Sequence, residues 1–96
     1  MSVKSFFEFK FSADTIKEGL PLAVSIGNDM PSREGYLDHE VIRDVTDPNH
    51  LMVNTHWVDG QKAQAVLTKY NEDAKIKRAK ELLKDGPTGF IGEILE

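Results

Sequence analysis

Residues 36–58 read YLDHEVIRDVTDPNHLMVNTHWV, and this stretch decides the fold of the chain. Apolar and polar residues alternate over 36–45 and again over 51–58, which is the period of two expected of β-strands. The sequence Thr-Asp-Pro-Asn-His over 46–50 has residue types that favour a turn. We therefore predict an antiparallel hairpin, with one further strand and helical sequence on each side of it.

The register of this hairpin decides which side chains share a face, because a slip of one residue moves every side chain to the opposite face. In the register that we favour, one face is apolar and the other is polar. The apolar face holds Leu37, Val41, Val45, Leu51, Val53 and Trp57. The polar face holds Asp38, Glu40, Asp44, Asn54 and His56. His39 then lies roughly opposite Trp57 on the face that helices cover, with Thr55 nearby.

The sequence before the hairpin predicts one strand and one helix. Period-two alternation over 3–11 indicates a strand with aromatic residues on both faces. Apolar residues then recur at spacings of three and four over 16–30, which is the period of a helix face. The sequence Thr-Ile-Lys-Glu over 15–18 fits a capping box. Pro21 predicts either a kink in this helix or a helix that begins near Leu20.

The sequence after the hairpin predicts two helical segments and a last strand. Asp59 is a suitable cap for the first helix, whose apolar stripe ends at Tyr70. An Asn-Glu-Asp sequence then interrupts the helical pattern before a second segment over 74–83. Asp-Gly-Pro at 85–87 predicts the end of that segment. Alternation over 88–95 predicts the final strand.

The predicted order of elements is β-α-β-β-α-α-β, which is the order of the ferredoxin-like split βαβ fold. The fold class is therefore α+β, with a four-stranded antiparallel sheet that helices cover on one face, in a single domain over 1–96. A sheet face in water carries polar residues at alternate positions, but the first and last predicted strands carry apolar residues on both faces. We therefore expect a homodimer that buries the open face of the sheet.

The composition excludes several classes of function. The 96 residues contain no cysteine, which excludes disulfides, thiolate metal sites and cysteine nucleophiles. The formal net charge of −4 makes nucleic acid and anionic membranes unfavourable partners. We find no apolar run typical of a signal peptide or a membrane span, so we expect a soluble, cytoplasmic protein. The three histidines lack metal-ligand spacing and there is no nucleotide-binding loop, so we predict neither metal nor cofactor.

His39 is the candidate catalytic residue, because the ordinary pKa of histidine, about 6.5, suits proton transfer near neutral pH. Trp57, Thr55 and Tyr70 are the candidate substrate-binding residues around it. His39, Trp57 and Tyr70 each have an ordinary alternative role in the core. A histidine or tryptophan on an apolar strand face, or a tyrosine in a helical stripe, is commonly a packing residue.

Three stretches of the chain together resemble the antibiotic biosynthesis monooxygenase family. They are Gly35-Tyr36-Leu37, then Arg43-Asp44-Val45-Thr46-Asp47-Pro48, then the run from Leu51 to Thr55-His56-Trp57 that precedes a helix. The resemblance covers nearly the whole chain and implies a dimeric α/β barrel, in which two ferredoxin-like sheets face each other. It also implies several candidate activities, because some members oxygenate phenols or quinols without metal or flavin, whereas others degrade haem or isomerise small sugars.

The chain departs from this family at positions that matter for chemistry. Thr55 stands where many members have glutamate, and Val66 and Asn71 stand where many have histidines on the following helix. Only Trp57 matches, whereas His39 is a candidate from strand register alone. We predict a cofactor-independent monooxygenase that acts on a small aromatic or quinol-like molecule. The alternative is a non-catalytic dimeric module of the same fold, either structural or binding a small ligand.

Overall fold

The computed structural model describes residues 2–83 and 88–96, and it shows an α+β fold with a four-stranded antiparallel sheet. The strands are β1 (Val3–Lys10), β2 (Tyr36–Asp44), β3 (Asp47–Trp57) and β4 (Thr88–Glu93). The helices are α1 (Ile16–Asn28), α2 (Gly60–Tyr70) and α3 (Ala74–Leu82), with a short 3-10 helix at Met30–Ser32. The strand order β2-β3-β1-β4 confirms the predicted ferredoxin-like fold. The predicted helix stop at 85–87 lies outside the described residues.

The core lies between the sheet and the three helices. Its largest fully buried side chains are Phe9, Ile26, Met30, Val53, Trp57, Tyr70 and Ile76. They come from both the covered sheet face and the helices, as expected of a two-layer domain. Among the described residues, no helix combines the length and the apolar composition that a membrane crossing requires.

The register of β2 against β3 confirms the predicted sorting of faces in the middle of the hairpin. Val41 pairs with Val53 on the covered face, and Glu40 pairs with Asn54 on the open face. Helix α1 packs on the covered face, where Leu51 and Val53 are buried. Asp38 and Glu40 therefore lie on the face that the helices leave open.

An irregularity at Leu37 corrects the prediction for the start of β2. Tyr36 pairs with Trp57 and Asp38 pairs with His56, so one extra residue of β2 stands between these two pairs. Such a bulge reverses the alternation on one side of it. Tyr36 therefore joins the covered face, and Leu37 is 46% exposed instead of lying in the core.

The hairpin turn is shorter than the sequence predicts. Strand β3 begins at Asp47, and the turn consists of Val45 and Thr46, so Val45 is 99% exposed rather than part of the apolar face. The carboxylate of Asp44 accepts hydrogen bonds from the backbone N–H and the hydroxyl of Thr46, both at 2.8 Å. Pro48 is accommodated within β3 because the pairing with β2 is irregular beyond Arg43, and such irregular positions tolerate proline.

Helix α1 begins at Ile16 and continues through Pro21, so the predicted alternative start near Leu20 is wrong. The predicted capping box is also wrong, because the Thr15 side chain makes no cap bond to the helix. Its hydroxyl oxygen instead accepts a hydrogen bond from the Ser12 backbone N–H at 2.9 Å. By contrast, Asp59 caps α2 as predicted, since its carboxylate accepts from the Lys62 backbone N–H at 2.8 Å.

The last strand is shorter than predicted and ends at Glu93. Ile94 and Leu95 therefore lie beyond the sheet, and Leu95 is 84% exposed. Phe90 lies on the open face, where its ring stacks on Phe6 with centroids 4.9 Å apart. Ile91 packs against the core on the covered face. The prediction that β4 carries apolar residues on both faces is thus confirmed within its shorter bounds.

Candidate functional site

The strand irregularity at Leu37 brings Tyr36 and His39 together on the covered face. The hydroxyl oxygen of Tyr36 lies 2.7 Å from Nδ1 of His39, a hydrogen-bonding distance. Among the described residues, the His39 ring makes this one hydrogen bond, and its Nε2 faces helix α1 near Gly27. Both residues are half-buried. The alternation of polarity alone predicts Tyr36 on the opposite face, with Asp38 and Glu40, because it carries no sign of the extra residue.

Helix α1 holds the His39 ring against the sheet. A Cβ atom at Gly27 would lie only 2.8 Å from Cγ2 of Val41 and 3.3 Å from Cδ2 of His39. The helix therefore approaches β2 this closely only because residue 27 has no side chain. The orientation of the His39 ring is therefore set by helix α1 on one side and by Tyr36 on the other.

Thr55 and Trp57 are close to His39 but are fully buried. Thr55 pairs directly with His39 across the strands, which makes Trp57 the diagonal neighbour of His39. The indole N–H of Trp57 donates a hydrogen bond to the Ser5 hydroxyl at 3.0 Å, and the Tyr36 ring meets the indole edge-on with centroids 6.4 Å apart. A ligand reaches Trp57 or Thr55 only if this packing opens.

Tyr70 belongs to a separate cluster. Its hydroxyl donates a hydrogen bond to Oδ2 of Asp29 at 2.7 Å, and Nζ of Lys75 donates to the same oxygen at 2.8 Å. Burial, followed by the hydrogen bond to Asp29, raises the pKa of the Tyr70 phenol. The hydrogen bond from Lys75 lowers the pKa of Asp29. Tyr70 is therefore a neutral hydrogen-bond donor, with its hydroxyl directed to Asp29 rather than to His39.

Clefts of appreciable volume lie elsewhere among the described residues. One of about 590 Å³ lies beside β4, and its walls include Phe7, Leu67 and Lys80. A second, of about 340 Å³, lies between the 3-10 helix and α2, and its walls include Arg33, Val66 and Lys69. A third, of about 260 Å³, lies between α1 and β2, with Val41 in its wall. None of the four predicted site residues lines these three clefts, although Val41 is the next covered-face residue after His39.

The open face carries a row of hydrogen-bonded acids and histidines. Nδ1 of His50 lies 2.9 Å from Asp44, and its Nε2 lies 3.2 Å from Glu8 as an ion pair. The hydrogen bond with Asp44, opposed by burial and supported by Glu8, raises the pKa of His50. In the part of the chain that the structure describes, no group of three or more His, Asp or Glu side chains is arranged to hold a metal ion.

No protein-family model matches this chain, and no curated protein matches its sequence. Solved structures nevertheless share its fold. A mutant of SnoaB, a cofactor-independent oxygenase from Streptomyces nogalater, aligns with a TM-score of 0.82 at 12% identity, over 99% of this chain and 94% of that chain. A protein of unknown function from Nitrosomonas europaea aligns with a TM-score of 0.82 at 17% identity, over 99% and 90% of the two chains.

A further solved structure, an antibiotic biosynthesis monooxygenase, aligns with a TM-score of 0.72 at 17% identity, over 98% of this chain and 99% of that chain. These alignments span nearly the full length of each protein. The resemblance that the sequence motifs indicated is therefore confirmed at the level of the fold.

Proposed function

We propose that this protein is a cofactor-independent monooxygenase that acts on a small aromatic or quinol-like molecule. The observation that carries the proposal is the hydrogen bond between Tyr36 and His39, which orients a histidine on the covered face of the sheet. A fold shared with a cofactor-independent oxygenase supports it. Proton removal from a phenol requires a base of this kind, and orientation by a second group is a common feature of catalytic bases.

In this proposal Nε2 of His39 accepts the phenolic proton of the substrate. Nδ1–H then donates to the hydroxyl oxygen of Tyr36, because only that tautomer leaves Nε2 as the acceptor. The resulting phenolate supplies the electrons that reduce dioxygen. Dioxygen adds to a ring carbon that bears hydrogen, and the O–O bond and that C–H bond then break. One oxygen atom stays on this carbon of the quinone product, and the other leaves as water with two of the substrate's hydrogens, so no external reductant is needed.

Thr55, Trp57 and Tyr70 are the proposed substrate-binding residues. Because Thr55 and Trp57 are buried beside His39, the proposal requires a substrate to open the packing between α1 and β2 next to Gly27. Tyr70 takes part in this proposal only when its hydroxyl leaves Asp29. The cleft of about 260 Å³ between these two elements is the entrance nearest to His39 along β2. Closure over the substrate would then exclude water from the reacting atoms.

Oxygen uptake with hydroquinone and related substrates tests this proposal. The His39→Ala variant should lose uptake while its circular dichroism spectrum is unchanged. The matched control is His56→Ala, since His56 lies on the open face and its ring is bonded to Asp38. Equal uptake by wild type and His39→Ala would overturn the role of His39. The absence of uptake by wild type with all substrates tried would favour the second candidate.

The second candidate function is a non-catalytic binding or structural module of the same fold. The observation in its favour is that the buried polar groups nearest the site already have protein partners, since Trp57 bonds Ser5 and Tyr70 bonds Asp29. Val66 also stands at the helix position where many members of the resembled family carry a histidine. A module of this kind should show no oxygen uptake with any phenol or quinol.

We also propose that the chain forms a homodimer through the open face of the sheet. The Phe6–Phe90 stack lies on this face, and Phe90 is 66% exposed. Ile42, at the other edge, is 46% exposed. Sedimentation at low micromolar concentration should give a dimer for wild type and for Val45→Asp, which changes the exposed hairpin turn. Phe90→Asp should sediment as a monomer, and a dimer of unchanged affinity would contradict this interface.

A cytoplasmic location stays a prediction from the sequence.

A further inference from the structure

The cleft of about 340 Å³ between the 3-10 helix and α2 combines positive charge with apolar lining residues. Its lining residues are Ser32, Arg33, Glu34, Lys62, Ala65, Val66 and Lys69. At about 30 Å³ for each water molecule of the bulk liquid, this volume corresponds to about eleven waters. The cleft therefore has room for a small organic molecule rather than for an ion alone.

Positive charge is in excess at this cleft, although the whole chain carries a formal net charge of −4. Three cationic side chains line it, and Glu34, its one acidic lining residue, pairs with Lys62. Among residues 2–83 and 88–96, no carboxylate forms a salt bridge with Arg33 or Lys69. The nearby Asp29 is already bonded to Lys75 and Tyr70. Neither Arg33 nor Lys69 thus has a carboxylate within salt-bridge distance among the described residues, although Asp29 attracts Arg33 from further away.

Arg33 packs over the ring of Tyr70, but part of its guanidinium has no hydrogen-bond partner among the described residues. The carbon of that group lies 5.1 Å from the centre of the Tyr70 ring, a cation–π arrangement. Its Nε atom is buried and has no hydrogen-bond partner among the described residues. A buried donor without an acceptor is unfavourable, and a rotation of the guanidinium that brings Nε to an oxyanion in the cleft would supply the acceptor. The guanidinium edge bears two parallel N–H groups that match the two oxygens of a carboxylate.

The rest of the cleft suits an apolar body attached to that carboxylate. Ala65 and Val66, on successive positions of α2, contribute apolar side chains to its lining. Lys69, one turn further along α2, adds a second positive charge at the rim. Ligand sites commonly combine apolar walls with a few polar groups that fix the orientation of the ligand.

We propose that this cleft binds a small organic carboxylate with an aromatic or other apolar body. Arg33 holds the carboxylate, Lys69 and Lys62 strengthen its electrostatic attraction, and Ala65 with Val66 contact the apolar part. This binding site is distinct from the His39 site and requires no turnover. The carboxylate site and the proposed oxygenase activity can therefore be tested separately, because binding is measured without any reaction.

Titration of ¹⁵N-labelled protein with 2-naphthoate, followed by backbone amide NMR, tests the proposal. Chemical shifts should move mainly at 32–34 and 65–69. The neutral analogue 2-naphthamide should bind at least about tenfold more weakly, because it lacks the charge that Arg33 recognises. Inorganic phosphate should also bind more weakly, because it lacks an apolar body. Raised salt concentration should weaken naphthoate binding.

Two arginine variants distinguish naphthoate binding in the cleft from nonspecific attraction to the positive charges of the protein. Arg33→Gln should weaken naphthoate binding by at least about tenfold, whereas the matched Arg43→Gln, on exposed β2, should leave it within about twofold. If Arg33→Gln proves unfolded, Lys69→Gln on the exposed surface of α2 provides the same test with a smaller expected loss. Equal binding of naphthoate and naphthamide, equal binding of phosphate, or unchanged binding by both cleft variants would overturn the proposal.

Discussion

The Tyr36 hydroxyl oxygen lies 2.7 Å from Nδ1 of His39, although the two residues are three positions apart on one strand. In a regular strand, residues at this spacing point to opposite faces. The extra residue at Leu37 turns Tyr36 onto the face of His39, so the irregularity creates the pair. Bulges of this kind commonly aim a side chain toward a functional site.

Tyr36→Phe should remove this hydrogen bond while keeping the ring that packs on Trp57. We expect the free energy of unfolding to fall by about 0.5–1.5 kcal/mol, the usual net contribution of one such bond. Urea unfolding measures this change. Imidazole ¹⁵N chemical shifts should also show a change in the tautomer of His39, and unaltered shifts would mean that the bond does not determine the tautomer.

Ser5→Ala should destabilise the protein because it leaves the buried indole N–H of Trp57 without its acceptor. The expected loss is about 1–3 kcal/mol, the cost of an unsatisfied buried donor. In a Trp57→Phe background the same serine change should cost less, because the donor is already gone. A double-mutant cycle by urea unfolding should therefore give a clear coupling energy, and strictly additive effects would argue against the bond.

Gly27→Ala should destabilise the protein because the new methyl group would lie 2.8 Å from Cγ2 of Val41. Overpacking of this kind costs about 1–3 kcal/mol. Gly60→Ala is the matched control, because a Cβ there meets no atom within 4 Å. It should be neutral or stabilise by about 0.4–1 kcal/mol through the unfolded chain. Thermal unfolding compares the two variants, and similar melting temperatures would show that α1 does not need this close approach.

The stability of the open face should depend on pH through His50. Its pKa is raised from 6.5 in the folded protein, chiefly by the hydrogen bond to Asp44, with Glu8 also facing the ring and Lys10 beside Glu8. A raised folded pKa means that the contribution is complete below pH 6.5 and is lost as pH rises through the folded pKa. From pH 6 to pH 9, wild type should therefore lose more stability than His50→Gln.

Urea unfolding of both proteins at equal concentration measures the difference in pH dependence. High salt should reduce that difference, because the side chains of His50, Asp44 and Glu8 are all partly exposed. Parallel pH profiles for wild type and His50→Gln would contradict a stabilising role of the protonated ring.

Several features could be predicted from the sequence because their causes are local. The alternation of polarity over 36–45 and 51–58 predicted the two strands. The register could be predicted because it pairs apolar Val41 with apolar Val53 and polar Glu40 with polar Asn54. Asp59 identified the start of α2 because a carboxylate directly before a helix accepts a backbone N–H. The capping box at Thr15 failed because Ser12, in the preceding turn, engages the same hydroxyl.

By itself, the sequence determined the order of elements, the fold class and the placement of His39 on the covered face, because periodicity and caps act between residues that are near in the chain. Only the tertiary structure decided that Tyr36 faces His39, since the extra residue at Leu37 shows itself only when β2 is paired with β3. It also decided that the indole N–H of Trp57 donates its hydrogen bond to Ser5, 52 positions away in the chain. The cleft around Arg33 likewise exists only because the 3-10 helix packs near α2, which places side chains from two distant segments around one cavity.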